Sequence, residues 1–245
     1  MKPVVTDERR PADCADKLRS LGFTVMLLPP YPALPDALAS HTDMLIARLG
    51  NHIITQADYC DRSAYIFTDL LCLYPQLRVH FASDEVKKEY PHDAVMNVLT
   101  FADRLFCRED SVSGYIKSLA HALGYRTVNV KQGYPACTVL KLNEESAITA
   151  DKGMAKALRA EGIRVYEIKE GGIALPPYEY GFIGGACGVH GGVCYFAGDL
   201  STHPDAQVIR TALASEGITP ISLGRGTLAD VGGLFFFDTL EDNGR

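Results

Sequence analysis

Features that mark several common classes of protein are missing from this sequence. No apolar stretch approaches the ~20 residues that span a bilayer, and Met1-Lys2-Pro3 leads into a strand rather than into a signal-peptide core. No run of Lys or Arg occurs, and the formal net charge is −6, which disfavours binding to a phosphate backbone. We therefore expect neither a membrane nor a nucleic acid as partner.

Paired cysteine motifs and nucleotide-binding glycine motifs are also missing. The seven Cys are scattered and odd in number, which predicts reduced thiols in a cytoplasmic protein. Cys187, His190 and Cys194 lack the paired spacing of a structural zinc site, so no metal is expected. The segment 181–188 contains Gly184-Gly185 but neither GxGxxG nor GxxxxGK[ST], so these glycines predict close approach of the backbone to a ligand or to a neighbouring unit. No cofactor is expected.

What the chain does contain is one pattern that occurs five times. Apolar residues run into an aspartate, and a helical stretch follows; the junctions are at Asp7, Asp58, Asp110, Asp151 and Asp199. Their separations by subtraction are 51, 52, 41 and 48 residues, a period typical of repeated supersecondary units. Because Asp accepts hydrogen bonds from the free N–H groups of a helix start, we expect these five side chains to have structural roles.

A β-rich run follows each predicted helix, and four of the five runs follow a glycine suited to ending a helix. These glycines are Gly22, Gly124, Gly162 and Gly217. With the second strand set after each loop, every unit contains three strands and one helix, and one unit is split between the two ends of the chain. Pairing residues 1–7 with the C-terminal LFFF segment would close a ring and remove exposed edges, so residues 1–245 are predicted to form a single domain.

Five such units resemble the pentein, or guanidino-group-modifying, superfamily. His41-Thr42-Asp43-Met44 is similar to its His-x-Asp motif, and Asp230-Val231-Gly232-Gly233 is similar to the Gly-Gly stretch near its C-terminus. The segments GYPACTVL and YGFIGGACG resemble an uncharacterised bacterial branch of that superfamily. The resemblance implies an α/β fold, a pentein-type five-unit pseudo-symmetric α/β propeller, with chemistry on guanidino compounds.

One departure from the superfamily affects the predicted nucleophile. Catalytic members carry a nucleophilic Cys shortly after the Gly-Gly pair, whereas Leu234-Phe235-Phe236-Phe237 follows here. Counting back from Ile54-Thr55 and from Ile148-Thr149 aligns Cys137 with Asp43 and the neighbourhood of His41. Since equivalent strand starts in a ring converge on its centre, these three residues are predicted to face one pocket.

The residue types in that pocket suit attack of a thiolate on a guanidinium or amidine carbon. Cys137 is the predicted nucleophile, His41 the acid or base, and Asp43 a partner for a cationic group. Further ligand-binding positions are predicted near equivalent strand starts or in the glycine segment, namely Asp93, Asn97, Lys131, Gly184, Gly185 and Asp230.

Two classes of function remain open at this point. The first is a Cys-dependent hydrolase or transferase acting on a small guanidino, amidine or related C–N compound. The second is a non-catalytic pentein that binds a metabolite or a protein, an alternative that the missing C-terminal Cys supports. A small-molecule ligand is expected, and the sequence indicates neither its identity nor an oligomeric state.

Overall fold

The computed structural model describes residues 2–237. Its strands are β1 (Lys2–Asp7), β2 (Phe23–Leu28), β3 (Ala47–Leu49), β4 (His52–Gln56), β5 (Arg78–Ala82), β6 (Leu99–Phe101), β7 (Arg104–Cys107), β8 (Arg126–Asn129), β9 (Val139–Lys141), β10 (Ser146–Thr149), β11 (Arg164–Glu167), β12 (Ile173–Ala174), β13 (Cys187–His190), β14 (Val193–Phe196), β15 (Thr219–Ser222), β16 (Leu228–Ala229) and β17 (Phe235–Phe236). Its α-helices are α1 (Ala12–Ser20), α2 (Thr42–Leu45), α3 (Ala57–Leu73), α4 (Gly114–Ala122), α5 (Pro135–Thr138), α6 (Lys152–Ala160) and α7 (Ala206–Ser215). In this part of the chain no helix is both long and apolar enough to cross a membrane.

Five three-stranded sheets share one plan, as the repeat predicts. In each sheet the first strand runs antiparallel to the second, a helix follows, and the third strand returns parallel to the second. The sheet β3-β4-β5 is an example, with Ala47 opposite Ile54 across the antiparallel pair and Ile54 opposite His80 across the parallel pair. The other sheets are β17-β1-β2, β6-β7-β8, β9-β10-β11 and β13-β14-β15.

The unit split between the chain ends is completed as expected. Strand β1 lies between β17 and β2, with Val4 opposite Phe236 on one side and opposite Val25 on the other. Val4 and Val5 are fully buried. The N-terminal strand is therefore the middle strand of its sheet and pairs with the C-terminal part of the chain.

The first strands of the five units contact one another in a closed circuit. β3 contacts β6, β9 contacts β13, and β13 contacts β17. Two side chains complete the circuit: Lys141 of β9 donates to the Thr100 carbonyl of β6 at 2.9 Å, and Arg48 of β3 donates to the Phe236 carbonyl of β17 at 2.6 Å. The fold is the predicted five-unit α/β ring, with the first strands at its centre.

The helices end at the predicted glycines, whereas only some of the predicted aspartates cap a helix start. All four predicted glycines have positive φ, between 69° and 89°. Asp151 caps α6 by accepting from the Met154 N–H, and Asp199 caps a 3-10 turn by accepting from Ser201. The expected cap is absent at Asp110, because Ser113 caps α4 while Asp110 pairs with Arg108. It is also absent at Asp7 and Asp58, since α1 and α3 have no side-chain cap.

The starts of two inner strands also differ from the prediction. Cys137, expected to begin a strand, lies in the one-turn helix α5, and Val139 begins β9. Likewise His41 precedes the one-turn helix α2, and β3 begins at Ala47. Pro135 at the first turn of α5 suits a helix start, because that position needs no N–H donor. His41, Asp43 and Cys137 come together at these two short helices.

Candidate functional site

Cys137, Asp43 and His41 meet in the interior of the ring, although Cys137 comes from a different unit from the other two. The Cys137 thiol donates to Asp43 Oδ2 at an Sγ–O distance of 2.5 Å. One donor atom from each of the three side chains lies within 4.8 Å of the other two. The exposed fraction is 4% for Cys137, 2% for Asp43 and 1% for His41. The predicted convergence of these residues is present in the structure.

Asn97 holds the thiol from a third unit. Its Nδ2 donates to Cys137 Sγ at 3.4 Å, and its Oδ1 accepts from the Ala136 N–H at 2.8 Å. The same amide therefore fixes both the backbone of α5 and the sulfur. Asn97 is 1% exposed, so the role that the structure shows for it is to position Cys137.

Asp230 lies beside His41 and joins two sequence motifs. The distance from His41 Nδ1 to Asp230 Oδ1 is 3.6 Å. The Gly232 carbonyl accepts from the Asp43 N–H at 3.0 Å, and a Cβ on Gly232 would lie 2.4 Å from His41 Cβ. Gly232, with φ of 66°, is thus required where the DVGG segment packs against residues 41–43.

Burial sets the protonation of the site. It raises the pKa of the Cys137 thiol well above the ordinary value, and the Asp43 carboxylate raises it further. Burial also raises the pKa of Asp43, and the nearby Asp230 adds to this effect. Burial lowers the pKa of His41 in spite of Asp230 and Asp7, so its imidazole is neutral at pH 7. Burial thus disfavours the charged forms of the thiol, the carboxyl group and the imidazole.

Two polar atoms of the cluster have no hydrogen-bond partner. They are His41 Nδ1 and Asp43 Oδ1, both fully buried. A buried polar atom without a partner costs on the order of 1–3 kcal/mol, so a ligand that supplies donors would relieve that cost. His41, Asp43 and Cys137 are also the donor types that bind Zn²⁺, and among residues 2–237 they form the group close enough to hold a metal ion.

A cavity of about 130 Å³ reaches the cluster. His41, Cys137 and Asp230 line its polar end, and Asp43 lies behind Cys137. The remaining wall is apolar or aromatic, formed by Leu38, Met44, Tyr134, Leu175, Tyr178, Tyr180 and Phe182. Four of these residues belong to residues 175–182, which we call the covering segment. The cavity is smaller than the ~300–1,000 Å³ of drug-sized sites, so it suits a small ligand.

Other predicted positions lie outside this cavity. Lys131 is exposed and lines a separate surface depression of about 530 Å³ with Gln132 and Asp151. Gly184 borders a broader depression of about 710 Å³ along the inner strands. Asp93 is buried behind the wall and accepts from the Tyr134 hydroxyl at 2.5 Å; burial raises the pKa of its carboxyl group.

Gly184 and Gly185 have a packing role in the structure. A Cβ on Gly184 would lie 2.3 Å from the Ala136 carbonyl oxygen, and one on Gly185 would lie 2.0 Å from Asp230 Oδ1. The Gly185 N–H also donates to the Cys137 carbonyl at 3.1 Å. The glycines allow close approach to a neighbouring unit, which is one of the two possibilities that the sequence left open.

The positions of Asp7 and of the aromatic wall at the site were not predicted from the sequence. Asp7 was assigned to a helix start, yet its Oδ2 lies 3.9 Å from His41 Nε2. The covering segment belongs to a connection between repeats, so the repeat gave no register for it. Tyr134 directly precedes the PAC sequence of α5, and that adjacency was a usable signal.

Solved structures confirm the fold. Dimethylarginine dimethylaminohydrolase from Pseudomonas aeruginosa, in complex with citrulline, matches with a TM-score of 0.57 at 13% identity, over 91% of this chain and 92% of that chain. Inosamine-phosphate amidinotransferase from Streptomyces griseus matches with a TM-score of 0.53 at 16% identity, over 89% and 77%. A putative arginine deiminase from Porphyromonas gingivalis matches with a TM-score of 0.51 at 12% identity, over 96% and 95%. At these identities the likeness concerns the fold.

Comparison by sequence assigns the chain to a family. No curated protein matches it. A family model described as a family of unknown function, DUF6873, matches residues 5–235. The chain therefore belongs to the DUF6873 family, and its fold is that of the pentein superfamily.

Proposed function

We propose that this protein is a Cys-dependent hydrolase or transferase that acts on a small guanidino or amidino compound. The observation that carries the proposal is the buried contact of Cys137 with Asp43, beside His41 and Asp230, at the end of a small cavity. The fold is shared with guanidino-modifying enzymes, which agrees with the proposal but does not by itself assign a function.

A cationic ligand offers hydrogen-bond donors and positive charge to the acidic groups of the site. A guanidinium or amidinium group in the cavity presents N–H donors to the carboxylate of Asp230, and its charge acts on Asp43 behind Cys137. Its positive charge also stabilises the thiolate of Cys137, which burial and Asp43 disfavour in the free protein. The nucleophile therefore becomes active once the substrate is bound.

The chemistry then proceeds in two halves. His41 accepts the thiol proton while Cys137 Sγ forms a bond to the amidine carbon. The C–N bond breaks and the amine leaves with the proton from His41. In hydrolysis, water attacks the remaining carbon, the C–S bond breaks, and a urea or amide product leaves with the thiol restored. A transferase uses an acceptor amine in place of water.

Selective alkylation tests the proposal through a matched pair of reagents. 2-Chloroacetamidine and 2-chloroacetamide share size and leaving group, but only the amidine is cationic. We expect Cys137 to react at least about tenfold faster with the amidine than with the amide, relative to the exposed Cys72 in the same chain. Mass spectrometry of digested native protein measures both sites, and EDTA keeps metal ions from the thiol.

Turnover completes the test. Ammonia and amine release are measured with a panel of alkylguanidines, guanidino acids and amidines, for the wild type and for Cys137→Ser. Release that depends on Cys137 supports the enzyme. Absence of both turnover and amidine-selective labelling would contradict it.

A non-catalytic binding protein is the second candidate. The raised pKa of Cys137 and the Leu234-Phe235 sequence in place of the superfamily nucleophile favour it. Binding of the same cations to wild type and to Cys137→Ser, without turnover in either, would identify this function.

A further inference from the structure

We propose that the ligand is a guanidinium or amidinium ion whose substituent is apolar and carries no carboxylate. This inference rests on the proposed function for the cationic head group and goes beyond it in defining the remainder of the molecule. It rests on the composition of the cavity wall and on the position of the basic side chains around it.

The wall beyond the cluster offers hydrophobic contact. Leu38, Met44 and Leu175 are almost fully buried, and Phe182 lies between Tyr134 and Tyr180, with ring centroids 6.5 Å and 6.4 Å away. Tyr178 is 47% exposed and stands at the solvent side. An alkyl or aryl substituent gains burial there, and aromatic faces also attract a cation.

Among residues 2–237, neither a Lys nor an Arg side chain lines this cavity. Lys131, one of the ligand-binding positions predicted from the sequence, lines a different depression. Arg9 influences the pKa of His41, but it is paired with Asp7 at 3.1 Å and donates to the Asp36 carbonyl. Its guanidinium group is therefore already paired within the protein.

Two tyrosines of the wall are hydrogen-bonded to acidic side chains. Tyr134 donates to Asp93, and Tyr180 is hydrogen-bonded to Glu170. A carboxylate on the ligand would lose its hydration against apolar rings and would approach these acids without a cationic partner. Guanidino acids are thus disfavoured on both grounds.

A set of three ligands isolates each part of the proposal. n-Butylguanidine and 4-guanidinobutanoate share the head group and the three methylenes, and differ in ending with a methyl group or a carboxylate. n-Butylurea keeps the shape of the first ligand without its charge. Isothermal titration calorimetry with the full chain in EDTA measures each affinity, for the wild type and for Cys137→Ser, which removes turnover.

We expect n-butylguanidine to bind at least tenfold more tightly than 4-guanidinobutanoate and at least tenfold more tightly than n-butylurea. Equal or tighter binding of 4-guanidinobutanoate would overturn the inference. Equal binding of n-butylurea would overturn the requirement for a cation.

A positive charge introduced at the solvent side of the cavity provides a gain-of-function test. Tyr178→Arg places a guanidinium at an exposed position of the wall, so it should raise the affinity for 4-guanidinobutanoate relative to n-butylguanidine at least fivefold. Tyr178→Gln, which removes the ring without adding charge, is the control and should leave that ratio near the wild-type value. An unchanged ratio in Tyr178→Arg would mean that the carboxylate end lies elsewhere.

The inference and the proposed function fail separately. Selective binding of n-butylguanidine without any turnover leaves the ligand class in place and removes the enzyme. Turnover that requires Cys137 but favours 4-guanidinobutanoate supports the enzyme and overturns the proposed ligand class. Neither binding nor turnover would overturn both.

Discussion

At the scale of single residues, the contact between the Cys137 thiol and the Asp43 carboxyl decides the charge of the site. Both groups are buried, and burial raises the pKa of each, so folding disfavours the charged form of both. The contact does not favour the stability of the folded protein, but it favours the binding of a cationic ligand. Such a conflict with local rules is typical of a functional site.

Removing the Asp43 charge should therefore stabilise the protein. A carboxyl group whose pKa is raised on folding contributes stability below its unfolded pKa, and that contribution is lost as the pH rises through the folded pKa. We expect Asp43→Asn to increase the free energy of unfolding at pH 7 by at least about 1 kcal/mol, what a one-unit shift is worth, and the gain should shrink toward pH 4. Urea unfolding at several pH values measures this.

Asp110→Asn is the matched control for that measurement. The pKa of Asp110 is lowered because Arg108 donates to its carboxylate. Replacing it with Asn should therefore give no gain in the free energy of unfolding. A less stable Asp43→Asn protein at pH 7 would mean that Asp43 is ionised in the folded state.

The sequence predicted this cluster through register alone. Strand starts of a ring converge, and that geometry placed His41, Asp43 and Cys137 together. Strand register does not predict that Lys131 lines another depression, because side-chain direction in the loop before α5 does not follow the strand period. Asp7 was missed because one carboxylate at a strand end suits a cap equally well.

At the scale of elements, the one-turn helix α5 is held against the Gly184-Gly185 segment. The Ala136, Cys137 and Val139 carbonyls all lie within 2.7 Å of where a Cβ on Gly184 would be. Rigid backbone surrounds this position, so a methyl group there must displace α5. The placement of the thiol depends on that packing.

Gly184→Ala should accordingly destabilise the protein by about 1–3 kcal/mol, as expected for overpacking. Gly114→Ala is the control, because a Cβ there has nothing within 4 Å and Ala favours the helix that begins at this residue. Thermal unfolding followed by circular dichroism compares the two variants. Equal melting temperatures would show that α5 adjusts freely.

At the scale of the whole molecule, strand β1 joins the two ends of the chain in one sheet. It pairs with β2 through six residues and with β17 through two, and it carries the fully buried Val4 and Val5. The five-unit plan was predictable because the repeat covers the whole sequence and leaves one unit incomplete. The short helices α2 and α5 were not, since four residues give no detectable period.

Deletion of residues 1–7 should prevent folding, because β2 and β17 would both lose their partner and expose edges. Val5→Ala, which shortens one buried side chain and keeps the strand, should cost about 1–3 kcal/mol and leave a folded protein. Size-exclusion chromatography and far-ultraviolet circular dichroism distinguish these outcomes. A deletion variant that unfolds cooperatively near the wild-type temperature would show that the ring closes without β1.

The thiol–carboxyl contact also makes ligand binding a proton-exchange reaction. Burial raises the pKa of Cys137 and of Asp43, whereas a bound cation favours the charged form of Asp43. Binding should release about one proton, so that affinity rises about tenfold per pH unit below the pKa of the free site. Calorimetry in two buffers of different ionisation enthalpy would count that proton, and Asp43→Asn should reduce the count. In this protein the pH of the surroundings would then set the ligand concentration at which the site fills.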